Sequence, residues 1–209
     1  MKKSKTKIKI LAAARKLFNE QGFSQVTIRM IAMELNMSAG NLNYHYKTRE
    51  EILEALYFEM VEMFDTRVKD LGNTPITFAT IQADMLSSLR QMLDYRFIWT
   101  DLYNLLRINE KMKHHFEQVY QDRYKGYEFL FDYLQQKEWM APFDSKKEKH
   151  LLIERMIALS NTSLYNSFIY DNEIDEQELL ELCHQLMYMF HPYLTPLGKS
   201  EFNKEKRQY

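Results

Sequence analysis

Apolar residues recur at three- and four-residue intervals along almost the whole chain, and no window alternates at period two for long enough to propose a strand. The pattern predicts an all-α protein of about nine helices. A first helix is expected from Thr6 to Gln21, with Ile10, Ala14, Leu17 and Phe18 on one stripe. Gly22 then ends it in the left-handed position, and Phe23 folds back on the last turn. Two short helices follow, Ile28 to Leu35 capped by Thr27 and Ala39 to His45 capped by Ser38. Asn36 lies where the turn between them needs positive φ, a conformation asparagine tolerates best after glycine.

Thr48 and Glu51 spell a capping box for a long fourth helix, Thr48 to about Leu71, broken by LGNTP. Further helices are expected over 75–95, 97–108, 109–137, 145–170 and 175–193, and the stretch from Gly198 onward reads as a polar, frayed tail. The divisions that follow are 1–50, 51–200 and a tail at 201–209, with no Gly/Ser/Pro linker after the first.

Charge sharpens the picture. Residues 1–50 hold ten Lys/Arg against three Glu, a surplus of seven, and the remaining residues hold 18 bases against 26 acids, a deficit of eight. A basic front on an otherwise acidic chain is the footprint of a polyanion-binding module. Its recognition segment, Ala39 to His45, begins with the small residues Ala39, Gly40 and Asn41, so the backbone can approach base edges. Asn41 and Asn43 suit bidentate contact with adenine. Tyr44, His45 and Lys47 offer hydroxyl, ring N–H and ammonium donors to phosphates, and the start of the fourth helix beside Lys47 offers a second phosphate seat. Lys2 to Lys9 form a basic arm. Duplex DNA is the expected partner.

The strings ILAAARKLFNEQGF and VTIRMIAMELNMSAGNLNYHYKTREEIL, at this separation over residues 6–53, resemble the TetR/AcrR family of bacterial transcriptional regulators. The resemblance implies backbone contacts from Thr27 and Arg29, a base-proximal turn at Ser38 to Asn41, and phosphate contacts from Tyr44, His45 and Lys47; Thr48 beside them is a further DNA-binding candidate. It also implies a homodimer through the last two long helices, a small-molecule effector, and repression relieved by that effector. Asn43 departs from the family in standing where an aromatic is common, and Asn36 in standing where glycine is common.

Eleven aromatics fall between Tyr95 and Tyr133, a span of thirty-nine residues. Trp99, Tyr103, Phe116, Tyr120 and Tyr127 are the candidate effector wall, suited to a flat or lipophilic ligand; a plain aromatic core fits the same composition. Control by a protein partner is the alternative reading. Ile153, Met156, Ile157, Ser160 and Leu164, with Leu179, Leu182, Leu186 and Met189, could pack against a second copy or inside one subunit.

Several chemistries have no residues to carry them. The five glycines form no phosphate loop, and neither G-x-S-x-G nor H-E-x-x-H occurs. No catalytic set, metal site or cofactor is expected; Cys183, His184 and His191 could be assembled into a metal site, but such histidines read more readily as interface or surface residues. No apolar run is long enough for a membrane span. One cysteine excludes an intrachain disulfide and fits a cytoplasmic setting, and Arg15 and Lys16 interrupt the signal-like amino terminus.

Overall fold

Side chains that cap backbone N–H groups decide where most helices begin. Ser4, Thr27, Ser38, Thr48, Ser145 and Asp175 each accept from the backbone N–H three residues on, satisfying a donor the helix leaves unpaired. The structure, a computed structural model, describes residues 4–71, 74–170 and 173–204. Lys2 and Lys3 of the basic arm, Gly72 and Asn73 of the expected break, and residues 205–209 of the tail lie outside it. Among the described residues there are eleven α-helices and no strand: α1 (Lys5–Gln21), α2 (Ile28–Glu34), α3 (Ala39–His45), α4 (Arg49–Leu71), α5 (Phe78–Asp94), α6 (Arg96–Thr100), α7 (Leu102–Ile108), α8 (Glu110–Gln136), α9 (Lys146–Tyr170), α10 (Glu176–Tyr188) and α11 (Pro196–Lys204).

Of the two helices beyond those expected, one comes from an identifiable break and the other from the tail. The span 97–108 divides at Asp101, where Thr100 Oγ1 donates to the Arg96 carbonyl (3.0 Å) and Asn104 Nδ2 donates to Asp101 Oδ1 (2.6 Å). Short polar side chains there compete with the helical ladder. The span 175–193 closes at Tyr188, and Pro192 turns the remainder into a 3₁₀ turn at His191–Tyr193. The polar tail is a correction. Through Lys204 it is helix α11, with Gly198 and Phe202 buried.

The chain forms two compact units, Met1–Val68 with Gln91–Lys113, and Lys69–Arg90 with His114–Tyr209. In the first, Ile10, Ala14, Phe18, Val26, Ile31, Leu42, Ile52 and Leu53 are buried together with Tyr95, Phe97 and Ile98. The Phe18 ring meets Phe23 and Phe97, each at 5.2 Å between centroids. Asn19 ties the end of α1 to the residues beside α6: its Nδ2 donates to the Asp94 carbonyl (2.9 Å) and its Oδ1 accepts from Phe97 N (3.2 Å). Tyr95 donates its hydroxyl to Glu59 (3.0 Å), and burial followed by that carboxylate pushes the phenol up to about 12.

In the second unit, Phe78 stacks on Trp139 (5.3 Å) and meets Phe202 edge-on (5.3 Å). The α8–α9 connection is stitched to the segment before α11: Thr195 N donates to the Trp139 carbonyl (3.0 Å) and Ala141 N to the Tyr193 carbonyl (2.9 Å). Gly198 passes so close to this stitch that a Cβ there would lie 1.9 Å from the Trp139 carbonyl oxygen. The stripes Ile153–Leu164 and Leu179–Leu186 bury inside the subunit, so they belong to its own core. What remains outward on α9 is a second stripe at three- and four-residue spacing: Leu151, Arg155, Ala158, Thr162, Tyr165 and Ile169. Cys183 is buried, donates to the Gln82 carbonyl (3.5 Å), and burial pushes its thiol up to about 11.

Candidate nucleic-acid interface

The head is a helix-turn-helix with every corner set by a local bond. Thr27 Oγ1 accepts from Met30 N (3.3 Å) to open α2. At its far end Asn36 takes φ 51°, and Asn36 N and Met37 N donate to the Met33 and Ala32 carbonyls, each at 3.0 Å. Ser38 Oγ then accepts from Asn41 N (3.1 Å) to open α3. Ile31, Ala32 and Leu42 are buried, as is Tyr46 just past α3, which fixes the opposite side outward.

That outward side carries the expected residues. Thr27, Arg29, Ser38, Gly40, Asn41, Asn43, Tyr44, Lys47 and Thr48 are exposed, while Ala39 and His45 are half-buried. Tyr44 is 86% exposed with its ring edge-on to His45 at 5.3 Å, an unusual position for so large an aromatic. The caps matter chemically here. Thr27, Ser38 and Thr48 use an oxygen lone pair to accept a backbone N–H, so each hydroxyl proton remains able to donate to a phosphate. At Gly40 a Cβ would meet nothing closer than Ser38 Oγ at 3.9 Å, so the fold itself does not demand glycine.

The basic charge of this region divides into two sets. Lys16 pairs with Glu34 across α1 and α2 (2.8 Å), which raises its pKa, and Arg15 lies over the Tyr95 ring at 4.9 Å. Arg49, one of the ten basic residues of this region, points inward. Its Nη1 donates to the carbonyls of Phe23 (3.0 Å), Ser24 (3.2 Å) and Val26 (3.0 Å), and its guanidinium sits 4.1 Å from the Phe23 ring centroid. The second set is outward: Lys5, Lys9, Arg29 and Lys47 are exposed, and Lys7 lies 5.2 Å over the Tyr46 ring. Lys5 to Lys9 are already helical, so the arm becomes the first turns of α1, and no acid accompanies those lysines at the positive end of the helix dipole.

The second phosphate seat is filled by the protein itself. Glu51 N donates to Thr48 Oγ1 (3.1 Å), and the Glu51 carboxylate accepts from Lys47 N (2.7 Å), one residue earlier than in the usual box. Glu50 and Glu51 in this first turn repel phosphate, leaving the Lys47 ammonium and the Thr48 hydroxyl as the donors there. Sequence reasoning also passed over Met33, 75% exposed on the face of α2 that carries Arg29 four residues earlier. Helical spacing was the signal that could have found it.

The candidate effector residues do not form one cluster within a unit. Trp99 is buried and Tyr103 is 71% exposed on α7 with Arg107 over its ring, both in the first unit. Phe116, Tyr120 and Tyr127 lie half-buried on α8 in the second unit. There Tyr120 donates to Glu154, which raises its phenol pKa, and Tyr127 lies 6.2 Å from Phe131. Among the described residues no group of three His, Cys, Asp or Glu could hold a metal ion, and no helix is long and apolar enough to cross a membrane.

Residues 10–56 match the family model of bacterial regulatory proteins, tetR family, and residues 59–202 match that of the TetR bacterial transcriptional repressor. The fold is similar to a TetR-family transcriptional regulator from Marinobacter aquaeolei VT8, with a TM-score of 0.85 at 22% identity over 98% of each chain. It is also similar to a protein of Saccharomonospora viridis, described as a transcriptional regulator and solved in complex with choline, with a TM-score of 0.71 at 20% identity over 92% of this chain and 100% of that one. In sequence the chain is similar to "Probable HTH-type transcriptional regulator YttP" of Bacillus subtilis (strain 168), 29% identical over 94 residues, 45% of each chain. The chain spans about half the length of the curated relatives it matches, 45% and 52%.

Proposed function

The chain belongs to the TetR family of bacterial transcriptional regulators, DNA-binding proteins rather than enzymes, and we propose that it acts as a homodimeric repressor released from a palindromic operator by a small, largely apolar or aromatic effector. The observation that carries this reading is the α2–turn–α3 head, whose exposed face gathers small residues, amides, hydroxyls and cations around one helix tip. Ala39 to His45 enter the major groove, Asn41 and Asn43 meet base edges, and Arg29, Lys47 and the hydroxyls of Thr27, Ser38, Tyr44 and Thr48 hold phosphates, with His45 beside them. Residues 1–50 are the DNA-binding domain and 51–200 the effector and dimerisation domain. The protein works where the bacterial chromosome lies, in the cytoplasm.

Two heads related by a twofold require half-sites with centres about 34 Å apart, or a multiple of it. The outward stripe of α9 supports the dimer: Leu151, Ala158, Thr162, Tyr165 and Ile169 place apolar and small groups on one helix face. Half-burial of Phe116, Tyr120 and Tyr127 supports an effector site in the second unit. To empty the operator almost completely, the effector must prefer the released form by about 5.5 kcal/mol.

Selection of bound fragments from a random duplex pool by the full-length chain tests the reading. The expected result is an inverted repeat whose affinity falls steeply with salt. Recovery of no duplex at low ionic strength overturns it. If a hydrophobic compound screen releases no DNA and raises no melting point, control passes to a protein partner.

A further inference from the structure

From His114 onward α8 belongs to the second unit, and its inner stripe runs Phe116, Val119, Tyr120, Arg123, Tyr127 to the fully buried Phe131. The first five are each only half-buried. Four of them are large apolar or aromatic side chains on the same stripe as a core residue, so water reaches a wall that ordinary core packing would have sealed. One charged group stands in that wall. Arg123 donates from Nη1 to Asn161 Oδ1 (2.6 Å) and from Nη2 to Ser160 Oγ. The Ser160 hydroxyl spends its own proton on the Ile157 carbonyl (3.0 Å), so it faces Arg123 as an acceptor.

Both partners are neutral. Among the described residues no carboxylate forms an ion pair with Arg123, and Glu154, which faces α8 one turn away, accepts the Tyr120 hydroxyl instead. A guanidinium drawn partly out of water without a counter-charge is costly, and two parallel N–H groups held in a fixed fork match a carboxylate. Asn161 and Ser160 fix the plane of that fork while leaving three of its five N–H donors for another partner.

We infer that Arg123 is the head-group anchor of the effector site, and that the effector is an amphiphilic acid: one carboxylate on Arg123, with an apolar or aromatic body along Tyr120, Tyr127 and Phe116. The inference rests on the effector reading above and narrows its ligand class from apolar to anionic-headed. Beside Arg123 itself the same charge disfavours a cationic head group.

Three probes of one body decide it: 6-phenylhexanoate, 6-phenyl-1-hexanol and 6-phenylhexylammonium, titrated calorimetrically into the full-length protein. The acid binds more tightly than the alcohol by about tenfold or more, as a charge-assisted bidentate pair requires, and the amine binds worst. Arg123→Gln brings the acid down to the level of the alcohol and leaves the alcohol unchanged, while Arg123→Lys restores part of the preference. Circular dichroism and melting confirm that the variants fold. If Arg123 served only to brace α8 against α9, all three probes would weaken together in Arg123→Gln. Equal binding of acid and alcohol by the unaltered protein overturns the anchor and leaves the effector reading standing. Binding of none of the three, with no release of DNA, overturns both.

Discussion

Arg49 holds Phe23 from two sides, its guanidinium 4.1 Å from the ring centroid and its Nη1 3.0 Å from the same residue's carbonyl oxygen. Bonds to Ser24 and Val26 extend the grip over the whole α1–α2 connection. A single side chain at the start of α4 thus holds the connection that leads into α2. Arg49→Met should destabilise the head by about 2–4 kcal/mol, through loss of charge-assisted bonds to partly buried carbonyls. Arg49→Lys keeps the charge without the fork and should recover less than half. Urea unfolding measures both, and the salt slope of DNA binding should stay unchanged in the methionine variant, which has lost the charge. A slope lower by one in that variant would place Arg49 on the phosphate surface.

Gly40 separates folding from recognition. Open space surrounds its missing Cβ, so Gly40→Ala should stabilise the chain by about 0.5–1 kcal/mol through helix propensity alone. The same methyl should cost about tenfold or more in operator affinity by holding the backbone off the bases. Melting and fluorescence anisotropy on one sample test both signs. Unchanged affinity would mean that the tip of α3 stands clear of the groove.

Lys47 and Asn41 should fail differently. Lys47→Ala should weaken every duplex and flatten the salt slope by about one. Asn41→Ala should instead alter which base is preferred, at a cost of ~1–3 kcal/mol on the selected site. If neither substitution changes affinity or preference, another helix reads the DNA.

The outward stripe of α9 can be broken without touching the core. Ala158 is exposed within the subunit, so Ala158→Arg should fold normally yet sediment as a monomer and lose the tight binding that two linked heads provide. A dimer that survives this change, and Tyr165→Asp as well, must use a different surface.

Gly198 offers the opposite case to Gly40. Its neighbour is a backbone carbonyl, which no rotamer change can clear, so Gly198→Ala should cost about 3 kcal/mol or more. A melting point within a degree of the original would show that α11 is undocked in solution.

What could be read in advance was what nearby residues decide among themselves. Thr27, Ser38, Thr48 and Asn36 act within three or four positions of their own place, and each does what its type dictates. Arg49 is different, because its carbonyl partners lie 23 to 26 residues away and nothing local distinguishes it from Lys47. Phe202 looked stranded in a polar tail because its partners lie outside that stretch, Phe78 on α5 and Phe190 in the turn after α10. On α9 periodicity marked one apolar stripe, but the helix has two. The stripe that the subunit keeps for itself, Ile153, Met156, Ile157, Ser160 and Leu164, is the one buried at home.

The lysines that open α1 set two demands against each other. Lys5, Lys7 and Lys9 crowd like charges onto the helix end whose amide dipoles are already positive, so the uncomplexed head carries a built-in repulsion. Dissolved ions quiet that repulsion and steady the solitary protein, while the same ions strip away the attraction that fastens it to a nucleic acid. Conditions in which the molecule is most comfortable alone are therefore those in which it grips its target least.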